Sequence, residues 1–139
     1  MKRSTQKIVA IFYIFATLSA CGEHKHDHQE KPKTQFNMLQ HNVYFYLNPD
    51  VTEEEKRDFL NGLNALVSIE NIHHAEIGVP AETERREVTD HDFAYSIFTW
   101  FETMEDHEVY QNHPDHLEFI EKYKHLWKQV KVYDSQLAK

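Results

Sequence analysis

The chain has 139 residues, of which 40% are hydrophobic and 13% aromatic, and it carries a formal net charge of −8. An acidic chain without a basic stripe repels phosphate backbones, which argues against nucleic acid as a partner. One cysteine and three glycines also exclude an intrachain disulfide, a thiolate metal cluster and a glycine-rich phosphate loop.

Lys2, Arg3 and Lys7 form a positive leader, residues 8–18 form an apolar run too short to span a bilayer as a mature helix, and Leu18-Ser19-Ala20-Cys21 follows. This pattern predicts a lipoprotein signal peptide over residues 1–20, with Cys21 as the acylated anchor in a bacterial cell envelope. Gly22, in place of a retaining aspartate, points to the outer membrane. Residues 21–35 hold His24, His26 and His28 among mixed charges with almost nothing apolar to bury, the composition of a flexible tether. Nothing preorganises these three imidazoles, so no metal is assigned to them.

The remaining stretch, residues 36–137, has the length of one domain. His41, Val43, Phe45 and Leu47 alternate with Asn42, Tyr44 and Tyr46 as a half-buried strand. Asn48-Pro49-Asp50 ends it, and Thr52-Glu53-Glu54-Glu55 reads as a capping box opening a helix that runs to about Leu66. Phe59, Leu60, Leu63, Leu66 and Val67 make its apolar stripe.

A second strand is expected over residues 69–77, broken by Gly78-Val79-Pro80 and followed by a long polar connection. Residues 93–101 form the third and most apolar strand, with Phe93, Tyr95, Ile97 and Phe101 on one face and Ala94, Phe98 and Trp100 on the other. Thr103 caps a helix that stops near Asn112, and Pro114 starts a fresh one whose stripe is Leu117, Ile120, Tyr123 and Trp127. Val130-Lys131-Val132-Tyr133 supplies the last strand.

The order β-α-β-β-α-β is an α+β, ferredoxin-like unit, a four-stranded antiparallel sheet with its helices on one face. Aromatic side chains on the uncovered face predict a second copy there, and so a homodimer closed as a dimeric α/β barrel.

Several segments carry a family resemblance: His41-Asn42-Val43-Tyr44-Phe45, Ile77-Gly78-Val79-Pro80-Ala81, Tyr110-Gln111-Asn112-His113-Pro114-Asp115-His116, and Val130-Lys131-Val132-Tyr133-Asp134-Ser135. Together they resemble the stress-responsive A/B barrel, or Dabb, domain over residues 38–136. The resemblance implies the dimeric barrel as well. It also implies, from a plant polyketide cyclase of that family, that His116 is a proton-abstracting base assisted by Tyr110, with His41 and His113 matching further histidines of that enzyme. The residue types suit such chemistry, since an imidazole accepts a proton and a phenol stabilises an enolate.

A structural task for Tyr110, His113 and His116 around the helix break is the preferred reading over catalysis. Few basic groups are available for an acyl-coenzyme A. The expected function is therefore a membrane-anchored, stress-linked binding or structural module for a small hydrophobic ligand, with a lyase or cyclase using His116 and Tyr110 as the alternative. The expected pocket uses His41, His113, Tyr44, Phe98 and Trp100. Haem-degrading and quinol-type monooxygenases share the barrel, which leaves haem binding a minor option on fold analogy alone. No cofactor is expected, and no metal: His113 and His116 could be joined by His107 or Glu108, but spacing fixes no third ligand, and His73 and His74 face opposite ways on a strand.

Overall fold

The computed structural model describes residues 38–138, so the expected leader, Cys21 and the tether lie outside the described residues. Seven elements follow one another: β1 (Leu39–Leu47), α1 (Glu53–Leu66), β2 (His74–Gly78), β3 (Tyr95–Phe101), α2 (Met104–Gln111), α3 (Pro114–Tyr123) and β4 (Trp127–Gln136). Among them no helix is long and apolar enough to cross a membrane.

The strands form one antiparallel sheet in the order β2-β3-β1-β4. Pleating sends Leu39, His41, Val43, Phe45 and Leu47 of β1 to one face, where all five are buried. Phe59, Leu63 and Leu66 of α1, Tyr110 of α2 and Phe119 and Tyr123 of α3 close over that face to make the core. The helix starts are local chemistry. Thr52 Oγ1 accepts from the Glu55 amide while the Glu55 carboxylate takes the Thr52 amide, the reciprocal box expected from sequence. Thr103 caps α2, and His113 caps α3 by accepting the Asp115 amide at Nδ1, with Pro114 in the first turn.

The expected barrel is corrected. β2 and β4 are the two edges of an open sheet, and four strands with ordinary twist do not curve far enough to close. The aromatic residues of the uncovered face shield one another instead. Tyr44 meets Phe93, Phe98 and Tyr133 edge-on at centroid distances of 5.1, 6.0 and 6.0 Å, and Trp100 lies 5.1 Å from the His74 ring. The long β2–β3 connection is pinned beside them. Asp90 Oδ2 accepts from the Tyr46 hydroxyl at 2.7 Å and from Lys131 Nζ at 2.8 Å. Of Tyr44, Phe93, Phe98, Trp100 and Tyr133 only Tyr133 is strongly exposed, so the aromatic count overstated the apolar area left bare. One group on this face is unsatisfied: Asn42 Oδ1 is buried without a partner.

Three element readings also shift. Ile69 and Ile72 sit in successive turns closed by Ile69 N–H to Leu66 O and Ile72 N–H to Ile69 O, so β2 starts at His74. Phe93 precedes β3 and joins the uncovered face rather than that of Tyr95. In α3 the inward residues are Phe119 and Tyr123, with Leu117 and Ile120 exposed and Trp127 already in β4.

Candidate functional site

Between the helix-covered face of the sheet and α3 lies a cavity of about 290 Å³. Val43, Phe45, Ile97, Phe119, Trp127 and Val130 make its apolar wall, and the polar groups that reach it are His41 from β1, Tyr110 and Gln111 from α2, and His116 from α3. The helix break at Asn112-His113 turns the chain so that Tyr110, in the last turn of one helix, and His116, in the first turn of the next, pack with ring centroids 4.6 Å apart and planes inclined at 47°.

Each polar group is held in a definite state. His116 Nδ1 lies 3.0 Å from the Gln111 carbonyl, which can only accept, so the neutral ring carries its proton on Nδ1 and its lone pair on Nε2. Burial pushes the His116 pKa down, against a smaller upward pull from that carbonyl. The Tyr110 ring is buried, and burial raises its phenol well above the ordinary value, so it stays a neutral hydrogen-bond donor. His41 Nδ1 sits 2.6 Å from Asp134 Oδ1, its directly opposed cross-strand partner on β4. His107 of α2 packs against His41 at 4.9 Å between centroids and contacts the Gln111 carboxamide through Nε2 at 3.1 Å. Burial, followed by the charge of His41, lowers the His107 pKa. Ligand-type atoms of His41, His107 and Asp134 all lie within 4.8 Å of one another, the one such group of three or more among the described residues.

Of the residues expected from sequence, the fold gathers His41, Tyr110 and His116 and separates the others. Tyr44, Phe98 and Trp100 project from the opposite face, where Tyr44 borders a cleft of about 270 Å³ with Tyr46, Asp90, Phe93 and Tyr133. His113 is occupied as the α3 cap and borders a surface depression with Glu108 and Val109. Asp134 and most of the apolar wall were not anticipated, and His107, weighed as a third ligand for His113 and His116, lies instead against His41. A groove of about 230 Å³ between α1 and α3 opens outward and shares Leu66 and Phe119 with the cavity but none of its imidazoles or phenols; its own phenol, Tyr123, is committed to the Asp58 carbonyl.

The arrangement joins an apolar chamber to four convergent polar groups, one of them a lone-pair imidazole and one a neutral phenol. That set can orient a small hydrophobic molecule bearing a polar atom, and it can move a proton.

Solved structures resemble the chain in fold. A dimeric protein of unknown function and ferredoxin-like fold from Bacteroides fragilis is 21% identical over 73% of this chain and 97% of its own, with a TM-score of 0.58. A Dabb family protein with a ferredoxin-like fold from Mesorhizobium loti is 21% identical over 73% and 98%, with a TM-score of 0.59. A hydroxynitrile lyase from Passiflora edulis is 15% identical over 75% and 96%, with a TM-score of 0.62. At these identities the likeness is one of fold alone, and the ferredoxin-like description agrees with the open sheet. No curated protein matches the chain. The family of the stress-responsive A/B barrel domain, Dabb, matches residues 39–137, nearly every described residue, and the chain therefore belongs to that family.

Proposed function

We propose that this chain is a lipid-anchored envelope protein whose Dabb domain, as a homodimer, binds a small hydrophobic molecule in the cavity between the sheet and α3. The observation that carries the reading is the cavity itself: an apolar wall interrupted by His41, Tyr110 and His116. Its size suits a ligand of about one or two rings, at the small end of ordinary binding pockets. Membrane anchoring rests on the leader and Cys21 alone, outside the described residues. Pairing is supported by two relatives described as dimeric, from Bacteroides fragilis and Thermobifida fusca.

Native mass spectrometry of the full chain purified from its own membrane tests all three parts. The expected spectrum has an acylated N-terminus at Cys21, a dimer mass and a retained small molecule. The small molecule should be lost in Ile120→Trp, which places an indole at the partly exposed cavity rim. An unacylated Met1 would refute the anchoring, a monomer the pairing, and a ligand retained by Ile120→Trp the cavity.

A second reading, a lyase or cyclase with His116 as base and Tyr110 assisting, is favoured by one observation. The Gln111 carbonyl fixes the His116 tautomer so that a neutral lone pair remains on a ring lining the chamber. The same hydrogen bond also serves the helix break, which is why binding is the primary reading. Turnover of a captured ligand by the parent chain, abolished in His116→Gln with binding kept, would establish catalysis. Unchanged ligand after incubation would exclude it for that compound.

A further inference from the structure

We propose that His41, His107 and Asp134 form a binding site for a divalent first-row transition-metal ion of the zinc type, beside the cavity. The three ligands come from three elements that the fold holds together. His41 and Asp134 are register partners on β1 and β4, and both face the helices, while α2 lays His107 across them. None of the three depends on a mobile loop.

Geometry is compatible with an ion. Bonds of about 2.0–2.2 Å in a tetrahedral site put ligand atoms about 3.4 Å apart. Here the His41–Asp134 pair stands at 2.6 Å and no ligand-atom separation exceeds 4.8 Å, so these separations bracket the required one. Small rotations of Asp134, whose side chain is 49% exposed, and of the half-buried His107 convert the hydrogen-bonded arrangement into a coordinating one.

The surroundings favour a cation. Phe101 packs against His107 at 5.1 Å and Tyr110 against His41 at 6.1 Å, an apolar wall on the inner side of the cluster that strengthens ion–ligand attraction while Asp134 faces solvent. The Gln111 carboxamide nitrogen lies 3.1 Å from His107 Nε2, and with the carboxamide turned its oxygen would accept the Nε2 proton and leave Nδ1 free to coordinate. Two imidazoles and one carboxylate select zinc, cobalt, nickel, copper or iron over magnesium and calcium, which take oxygen ligands. Three protein ligands leave at least one coordination place for water or an anionic ligand atom. The carboxylate offsets part of the ion's charge in a chain that is itself negative, −8 overall.

The proposal stands apart from the cavity ligand, because its test uses the metal ion alone. The full chain is prepared with His24→Ala, His26→Ala and His28→Ala, which removes competing imidazoles, and is titrated with Co²⁺ followed by its visible spectrum and with Zn²⁺ in competition against a chromophoric chelator. One equivalent should bind with the intense spectrum of a four- or five-coordinate ion, and Zn²⁺ should displace Co²⁺. His107→Asn and Asp134→Asn, both at positions outside the fully buried core, should weaken binding by about 100-fold or more while far-ultraviolet circular dichroism stays unchanged. Absence of stoichiometric binding in the parent, or binding that both variants leave intact, would overturn the site.

Discussion

Gly62→Ala tests how α1 and α3 are held against each other. In an isolated helix this change stabilises by about 1 kcal/mol, because alanine is the better helix former. Here the added methyl would lie 2.7 Å from Tyr123 Cζ and 2.8 Å from its hydroxyl oxygen, well inside van der Waals contact. The ring has little room to retreat. Its hydroxyl donates to the Asp58 carbonyl at 2.9 Å, and the Phe59 and Phe119 rings stand 5.4 and 5.1 Å from it. Losing that hydrogen bond costs about 1 kcal/mol and overpacking a further 1–3 kcal/mol. Against the propensity gain, the net is a destabilisation of about 2 kcal/mol, or roughly 10 °C in Tm for a domain of this size. Urea denaturation followed by circular dichroism measures it. In a Tyr123→Leu background the same substitution should turn neutral or stabilising, since the obstacle is gone. A Gly62→Ala chain more stable than its parent would refute the packing described, and with it the placement of the α3 wall of the cavity.

Three further outcomes follow from named groups. Asp90 is held well below the ordinary carboxylate range, first by Lys131 and then by the Tyr46 hydroxyl. It therefore adds stability above about pH 4 that disappears as the pH falls through that range, and Asp90→Asn should flatten this acid limb; an unaltered limb would contradict the pinned β2–β3 connection. Burial lowers the His116 pKa, so below about pH 6.5 the unfolded chain takes up the proton first and stability falls with pH. His116→Gln should make that decline shallower, and an identical profile would show a solvated ring. Asn42→Val removes a buried, unpartnered carbonyl from a central strand and should stabilise by about 1 kcal/mol in denaturant titration. Destabilisation would reveal a partner for Oδ1.

What could be read from sequence was local. The Thr52–Glu55 box, the Thr103 cap and the Pro114 start each act over three or four residues, and each is present. Strand alternation placed His41 with Val43 and Phe45 on the buried face, yet the expected pocket mixed His41 with Tyr44, whose parity is opposite. Strict use of the pleat would have excluded Tyr44. Asp134 escaped notice, and His107 was weighed only beside His113 and His116, because the cluster joins position 41 to position 134 through the β1–β4 register and to position 107 through the packing of α2. A partial signal existed: Asp134 shares the parity of Val130 and Val132, and His107 precedes Tyr110 by one helical turn. The barrel was inferred from the number of aromatic residues on one face. Their mutual edge-on packing and the cover given by Phe93 are tertiary facts that no count supplies.

The most direct test of the binding account is a crystal structure of the chain purified natively from its membrane, read at the cavity. The account predicts electron density for an organic molecule between Phe119, Trp127 and Val130, with a polar atom within hydrogen-bond distance of the Tyr110 hydroxyl or His116 Nε2. A chamber collapsed onto the side chain of Ile120, or holding ordered water alone, would contradict it.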